Sequence, residues 1–209
     1  HNMTGYEDTD FAEYVRSRED AHNAANSSKI NVTGLTAGTV WVKEVGHKDA
    51  AINALAELVR CKTISYNDHS MEDKAEFRKL IDMLPQLYPA VFKTCHVQEL
   101  PDWGLLLHWE GKSHDAPSVM MAHFDVVPVV EEMWEKPPFA GILEDGVLWG
   151  RGTLDTKVTM NGALSAANAL IGQGFQPEQD IYFAFSGGEE VNGLGASIIV
   201  DWFEDQGIT

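Results

Sequence analysis

The stretch Val119-Met120-Met121-Ala122-His123-Phe124-Asp125-Val126-Val127-Pro128 opens on an unbroken apolar run and then sets an imidazole and a carboxylate two residues apart. A short apolar run without alternation reads as a strand covered on both faces, the pattern of a sheet with helices on either side. On an extended chain His123 and Asp125 project to the same side, at the point where that strand gives way to a loop. Working outward, Leu105 to Trp109 and Ile181 to Phe185 repeat the pattern, with turn residues at their edges in Pro101-Asp102, Pro117-Ser118 and Gly187-Gly188. The spacing Ala51, Leu55, Leu58, Val59 predicts one amphipathic helix, and Phe77, Leu80, Ile81, Leu84 predicts a second. A hairpin is expected where Glu144-Asp145-Gly146 separates two apolar pieces, since Asp-Gly tolerates the positive φ of a tight turn. A helix of small residues follows Asp155 through Ala163, Ala166, Ala167 and Leu170, stopped by Gly172 and Gly174 before Pro177. The last helix is expected over roughly residues 194–204, capped by Gly207. The pattern is α/β: a mostly parallel sheet flanked by helices. Residues 1–46 are weakly patterned, with a short helix possible over residues 10–25, and read as an N-terminal arm; residues 47–209 read as the folded portion.

Composition narrows the functions. At 209 residues the chain is long enough for one well-buried core, and its formal charge of −17 with only 15 Lys and Arg disfavours a nucleic-acid partner, which needs clustered cations. Cys61 and Cys95 form no CxxC pair and read as buried free thiols rather than a disulfide or a thiolate metal site. No apolar run approaches the ~18 residues of a membrane span. The start lacks the basic and apolar regions of a signal peptide, and Met3 reads as the natural start, giving a cytoplasmic expectation.

The chemistry sits where strands turn into loops, the edge at which open α/β sheets gather ligands. Asp125 is placed to accept the second ring N–H of a metal-bound His123, fixing its tautomer, although a His-x-Asp also serves as a core hydrogen bond. Asp155, at a helix start, is open to two readings, an N-cap or a carboxylate sharing its oxygens between two cations ~3.5–4 Å apart. Glu189 and Glu190 follow the buried run Phe183-Ala184-Phe185 and Gly187-Gly188, where paired carboxylates are costly unless a cation or proton compensates. Solvated surface is the alternative; a split of roles, one acid for metal and one for protons, is the functional reading.

Together with Trp134, Pro137-Pro138-Phe139 and Gly150-Arg151-Gly152-Thr153-Leu154-Asp155, these motifs resemble the dizinc amidohydrolase and metallopeptidase family of aminoacylase, glutamate carboxypeptidase and carboxypeptidase S. They are most similar to the carboxypeptidase S branch. The resemblance runs from about residue 50 to 209 and implies a three-layer zinc-peptidase-like fold. It also implies hydrolysis of peptide or N-acyl amide bonds next to an amino-acid carboxylate. In that pattern His123 binds one zinc, Asp155 bridges two and Glu190 binds the other. Asp125 supports His123, and Glu189 is the general base toward the water between the metals. Cobalt and manganese are possible substitutes for zinc. A member that binds peptide, amino acid or metal without turnover is the competing reading.

Two positions depart from the family pattern: Thr156 stands where carboxypeptidase S relatives have a second Asp, and Gly188 where they often carry an Asp before the Glu pair. The resemblance further implies a later carboxylate ligand, a later His ligand and an inserted domain for homodimerisation, none of which lies within this sequence. The polypeptide is therefore expected to be the N-terminal portion of a catalytic domain, binding zinc weakly by itself, with Glu204 and Asp205 as solvated helix-end charge.

Overall fold

A computed structural model of the chain describes residues 48–208, so the expected arm and its helix lie outside the described residues. Helix α1 (Lys48–Val59) buries Ala54, Leu55, Leu58 and Val59. Helix α2 (Lys74–Leu87) opens on Asp73, whose side chain accepts the Ala75 amide at 3.0 Å, and buries the four residues its spacing marked, Phe77, Leu80, Ile81 and Leu84. Pro89 then starts a short helix, α3 (Pro89–Thr94), as expected of a residue whose missing N–H costs nothing in a first turn.

Two strands follow as a hairpin. Strand β1 (His96–Leu100) pairs antiparallel with β2 (Gly104–Trp109), and the turn between them places Asp102 and Trp103 at φ 55° and 58°. Strand β3 (Ser113–His123) leads through a small second hairpin, β4 (Ile142–Glu144) and β5 (Val147–Trp149), into helix α4 (Lys157–Gly172) and strand β6 (Gln179–Ser186). The β4–β5 turn has Asp145 at φ 51° and Gly146 at φ 80°, the conformation the Asp-Gly pair was expected to supply. Helix α5 (Gly195–Asp205) closes the described chain, with Gly207 at φ 68° after it.

The main sheet runs β1-β2-β6-β3, with β6 parallel to β3 and antiparallel to β2. It is thus mixed rather than mostly parallel. A three-residue turn at residues 101–103 can only join antiparallel neighbours, whereas the crossover through α4 delivers β6 parallel to β3. Alternation then makes three layers. Leu105, Leu107, Trp109, Phe183 and Phe185 face a core shared with α1 to α4, while Leu106, Tyr182 and Ala184 face Ile199 of α5. Phe77 stacks on Trp103 at 4.9 Å and meets the edge of Phe124 at 6.3 Å, tying α2 to the strand ends.

The apolar run of β3 is not covered on both faces as expected: Val119, Met120 and Met121 are 43%, 45% and 57% exposed. Among the described residues β3 is the outer strand, paired only with β6. Cys61 and Cys95 are free and buried, and burial pushes the Cys95 thiol up to about 11. No described helix is long and apolar enough to cross a membrane.

Candidate metal centre

Parallel pairing sets the ends of β3 and β6 side by side, His123 opposite Ser186. The chain leaves β6 through Gly187, where a Cβ would stand 2.6 Å from the Trp103 side chain and 2.9 Å from Phe124, so only glycine allows the close passage. It then enters a 3-10 turn over Glu189–Val191 whose amides point back at β3. Asp125 receives them: Glu189 N–H donates to Oδ1 and Glu190 N–H to Oδ2, each at 3.1 Å, and the Ser65 hydroxyl donates to Oδ2 at 2.7 Å. This carboxylate is fully buried, and it fixes the imidazole, with His123 Nδ1 3.1 Å from the Asp125 carbonyl oxygen and 3.3 Å from Oδ1. The backing role assigned to Asp125 requires this arrangement. Nδ1 is occupied inside the protein, and Nε2 faces outward.

Outside, Nε2 lies 3.1 Å from Asp155 Oδ1 and 3.6 Å from Glu189 Oε2. Asp155 is not the cap of α4: that position falls to Thr156, which makes no side-chain capping bond, and the Asp155 side chain is 72% exposed. The Thr156 hydroxyl instead meets that of Thr159 at 2.7 Å. The loop carrying Asp155 is held from below by Lys157, fully buried, whose ammonium donates to the carbonyl oxygens of Leu58 at 2.9 Å and Cys61 at 2.7 Å at the end of α1. Burial lowers the Lys157 pKa to about 8. One nitrogen of His123 and one oxygen each of Asp155 and Glu190 lie within 4.8 Å of one another, and among the described residues no other group of three such donors is as compact.

The electrostatics of the cluster are unbalanced. Burial disfavours a charged His123, yet the hydrogen bonds and charge of Asp125, joined by Glu189, carry its pKa up to about 9. Asp125 shows the opposite balance, for burial raises its pKa while the bonds from His123, Ser65 and the Glu190 amide pull it below the usual carboxylate value. Burial also raises Glu190, and repulsion from Asp155, Asp125 and Glu189 adds to the shift. The donor set fits a divalent cation: one imidazole with its other nitrogen already bonded, and two carboxylates whose mutual repulsion a cation would relieve.

Beside the cluster lies an open cavity of about 350 Å³ lined by Trp134, Leu148, Trp149, Arg151, Leu154 and Asp155. The Arg151 guanidinium sits 5.3 Å from the Trp134 ring centre. All five residues singled out in the sequence thus gather at one edge of the sheet: His123, Asp155 and Glu190 as a compact donor set, Asp125 beneath and Glu189 at the rim. Glu204 and Asp205 are exposed at the end of α5. Sequence reading missed Ser65, whose partner is 60 residues away, and the Lys157 anchor, whose carbonyl partners lie 96 and 99 residues away; no local pattern marks either.

The chain thus carries a mixed sheet between helix layers, with an imidazole and carboxylates gathered at the ends of its parallel strands. Residues 119–208 match the model of peptidase family M20/M25/M40 and carry a stretch of that family's domain, as the motifs led us to expect. The chain is 33% identical over 155 residues to a probable carboxypeptidase S-like 2 of Dictyostelium discoideum, covering 72% of this chain and 30% of that protein. It is 33% identical over 161 residues to the N-fatty-acyl-amino acid synthase/hydrolase PM20D1 of Xenopus tropicalis, covering 75% of this chain and 31% of that one. In structure it resembles human carnosine dipeptidase 1, with a TM-score of 0.62 at 20% identity over 76% of this chain and 36% of that chain. The chain therefore spans about a third of the length of the relatives it matches.

Proposed function

We propose that the protein to which this chain belongs is a zinc-dependent hydrolase. It cleaves peptide or N-acyl amide bonds next to an amino-acid carboxylate. The observation that carries the reading is the convergence of His123, Asp155 and Glu190 within 4.8 Å at the strand ends. Two zinc ions are proposed for the complete site, with cobalt or manganese able to replace them: His123 and Glu190 would each hold one ion and Asp155 would serve both. Zinc bound there supplies Lewis acidity, polarising the scissile carbonyl and easing loss of a proton from water.

The remaining work falls to the chain's own groups. Asp125 holds the His123 ring in one orientation and leaves Nε2 free to face outward. Glu189, whose side chain is 59% exposed and so can meet a substrate, takes the proton of the attacking water and returns it to the leaving nitrogen. Water and amide are thereby converted to a carboxylate and an amine. The apolar lining of Trp134, Leu148, Trp149 and Leu154 beside Asp155 suits the side chain or acyl group flanking that bond, and the relatives named as a carboxypeptidase S-like protein and an N-fatty-acyl-amino acid hydrolase support this substrate class. Homodimerisation is proposed only for a chain carrying a further domain. A cytoplasmic location is also part of this reading.

The test is Glu189→Gln in the full-length protein, assayed against dipeptides and N-acyl amino acids with zinc content measured in parallel. Turnover is expected to fall by about 10²–10⁴-fold with zinc retained. Unchanged turnover would remove Glu189 from the mechanism. A fully zinc-loaded protein inert across the panel would favour the competing reading, a binding protein without turnover.

A further inference from the structure

His123 and Asp155 sit on separate loops, and one segment that supplies no donor to the cluster is bonded to both. Residues 58–65 run on from the end of α1. On one side they pair with the turn that follows β3, where Ile64 forms a parallel bridge with Val126. The Thr63 carbonyl oxygen accepts the Val126 amide at 2.9 Å, and the Ser65 amide donates to the Val126 carbonyl oxygen at 3.1 Å. Two side chains of the segment add to this. The Ser65 hydroxyl reaches Asp125 at 2.7 Å, and the fully buried Thr63 hydroxyl donates to the carbonyl oxygen of Phe124, the residue between His123 and Asp125.

On its other side the same segment receives Lys157. Burying an ammonium is costly unless it is well bonded. This one is directed at the Leu58 carbonyl oxygen at 2.9 Å and that of Cys61 at 2.7 Å, and among the described residues no carboxylate pairs with it. The Lys157 amide donates to the Gly152 carbonyl oxygen at 3.1 Å and so closes the loop that carries Asp155. That loop has no slack against its neighbours: a Cβ at Gly150 would stand 2.4 Å from the Val59 side chain, and one at Gly152 2.9 Å from that of Val126. The loop with Asp155 and the turn with His123 and Asp125 are thus both fastened to residues 58–65.

We propose that residues 58–65 form a strap that sets the spacing of His123 and Asp155, with Lys157 and Thr63 as positioning residues for the cation, which they reach only through those two side chains. Partners behind a ligand fix its orientation and with it the affinity for the metal. The inference rests on the reading of His123, Asp155 and Glu190 as a cation centre. Its sign separates it from a simple charge effect. An ammonium acting through its charge repels a nearby cation, so removing it would tighten binding, whereas removing a positioning group weakens binding.

The test is cobalt(II) binding by the full-length protein near neutral pH, followed by calorimetry and by the visible absorption of the bound ion. Lys157→Met keeps most of the volume of the buried stem, and Thr63→Val keeps the shape of its side chain. Urea unfolding establishes that each variant is folded, and if Lys157→Met is not, Thr63→Val decides alone. Lys157→Met is expected to weaken cobalt binding about 10–100-fold and to shift the absorption bands, and Thr63→Val to act in the same direction. The double variant should lose little more than Lys157→Met, since both substitutions release one strap and sites that share an element do not add. Unchanged or tighter binding in either folded variant overturns the proposal, as do losses that multiply. No cobalt binding by the unsubstituted protein, or binding indifferent to Asp155→Asn, refutes the cation centre itself and this proposal with it.

Discussion

The floor and the rim of the metal centre are built on opposite terms. On the floor, Asp125, Ser65 and His123 are buried and each is bonded: the carboxylate takes a hydroxyl and two backbone amides and orients the imidazole. On the rim, Asp155 and Glu189 expose 72% and 59% of their side chains and share the one imidazole of His123. The fold therefore supplies the geometry of the floor from its own hydrogen bonds. The rim sets Asp155, Glu189 and Glu190 around that single imidazole, an excess of negative charge that a cation would offset.

The widest gap between the two should appear on deleting each carboxylate. Asp125→Ala leaves the Ser65 hydroxyl, two amides and a buried imidazole without their acceptor, and the cost should be about 3–5 kcal/mol, the range for breaking a buried charged pair. Asp155→Asn should change stability by no more than about 0.5 kcal/mol, as exposed substitutions do, while abolishing cation binding at this centre. Urea unfolding of the metal-free chain measures both; equal losses would mean that floor and rim are not distinct.

Ser65→Ala sharpens the contrast within the floor. It removes one of the donors to Asp125, and about 1.5–3 kcal/mol is expected for a hydrogen bond to a charged group. The same unfolding experiment should place it between the two carboxylate variants, and a neutral result would mean that the hydroxyl is not needed to hold Asp125.

A pH-dependent effect concerns the anchor under the Asp155 loop. Lys157 has its pKa lowered from 10.5 to about 8 by burial, so between those values the unfolded chain holds the proton and the folded chain does not. Stability relative to Lys157→Met should therefore rise with pH through that window and be level on either side. Denaturant midpoints of both chains from pH 7 to 11 check this; a difference that falls with pH would reverse the assignment of burial as the dominant cause.

How far these features were legible follows from the range of the interactions. The helical spacing of Phe77, Leu80, Ile81 and Leu84 matched the buried face of α2, and the Asp145-Gly146 turn formed as read, because both are local patterns. The candidate site was legible because its residues stand next to apolar runs that become strand ends. Strand β1 was missed since His-Val-Gln-Glu-Leu at an edge carries almost no apolar signal, its residues being almost all exposed. The antiparallel pairing of β2 with β6 was not legible because it joins segments far apart in the chain, which no local pattern encodes. Asp155 illustrates the limit: a carboxylate ahead of a helix has one sequence signature whether it caps the helix or faces a cation, and only the placement of Thr156 separates the two.

The outward side of β3 has a consequence for the behaviour of the chain in solution. Among the described residues its main-chain donors and acceptors are paired with β6 on one side only, and Val119, Met120 and Met121 add apolar surface to that margin. A half-paired apolar strand is a template onto which another extended segment can zip. Mutual repulsion from a formal charge of −17 opposes such pairing between copies, and that repulsion weakens as salt shortens its reach from ~10 Å at 0.1 M to ~3 Å at 1 M. Raising the ionic strength therefore lowers one barrier to such pairing.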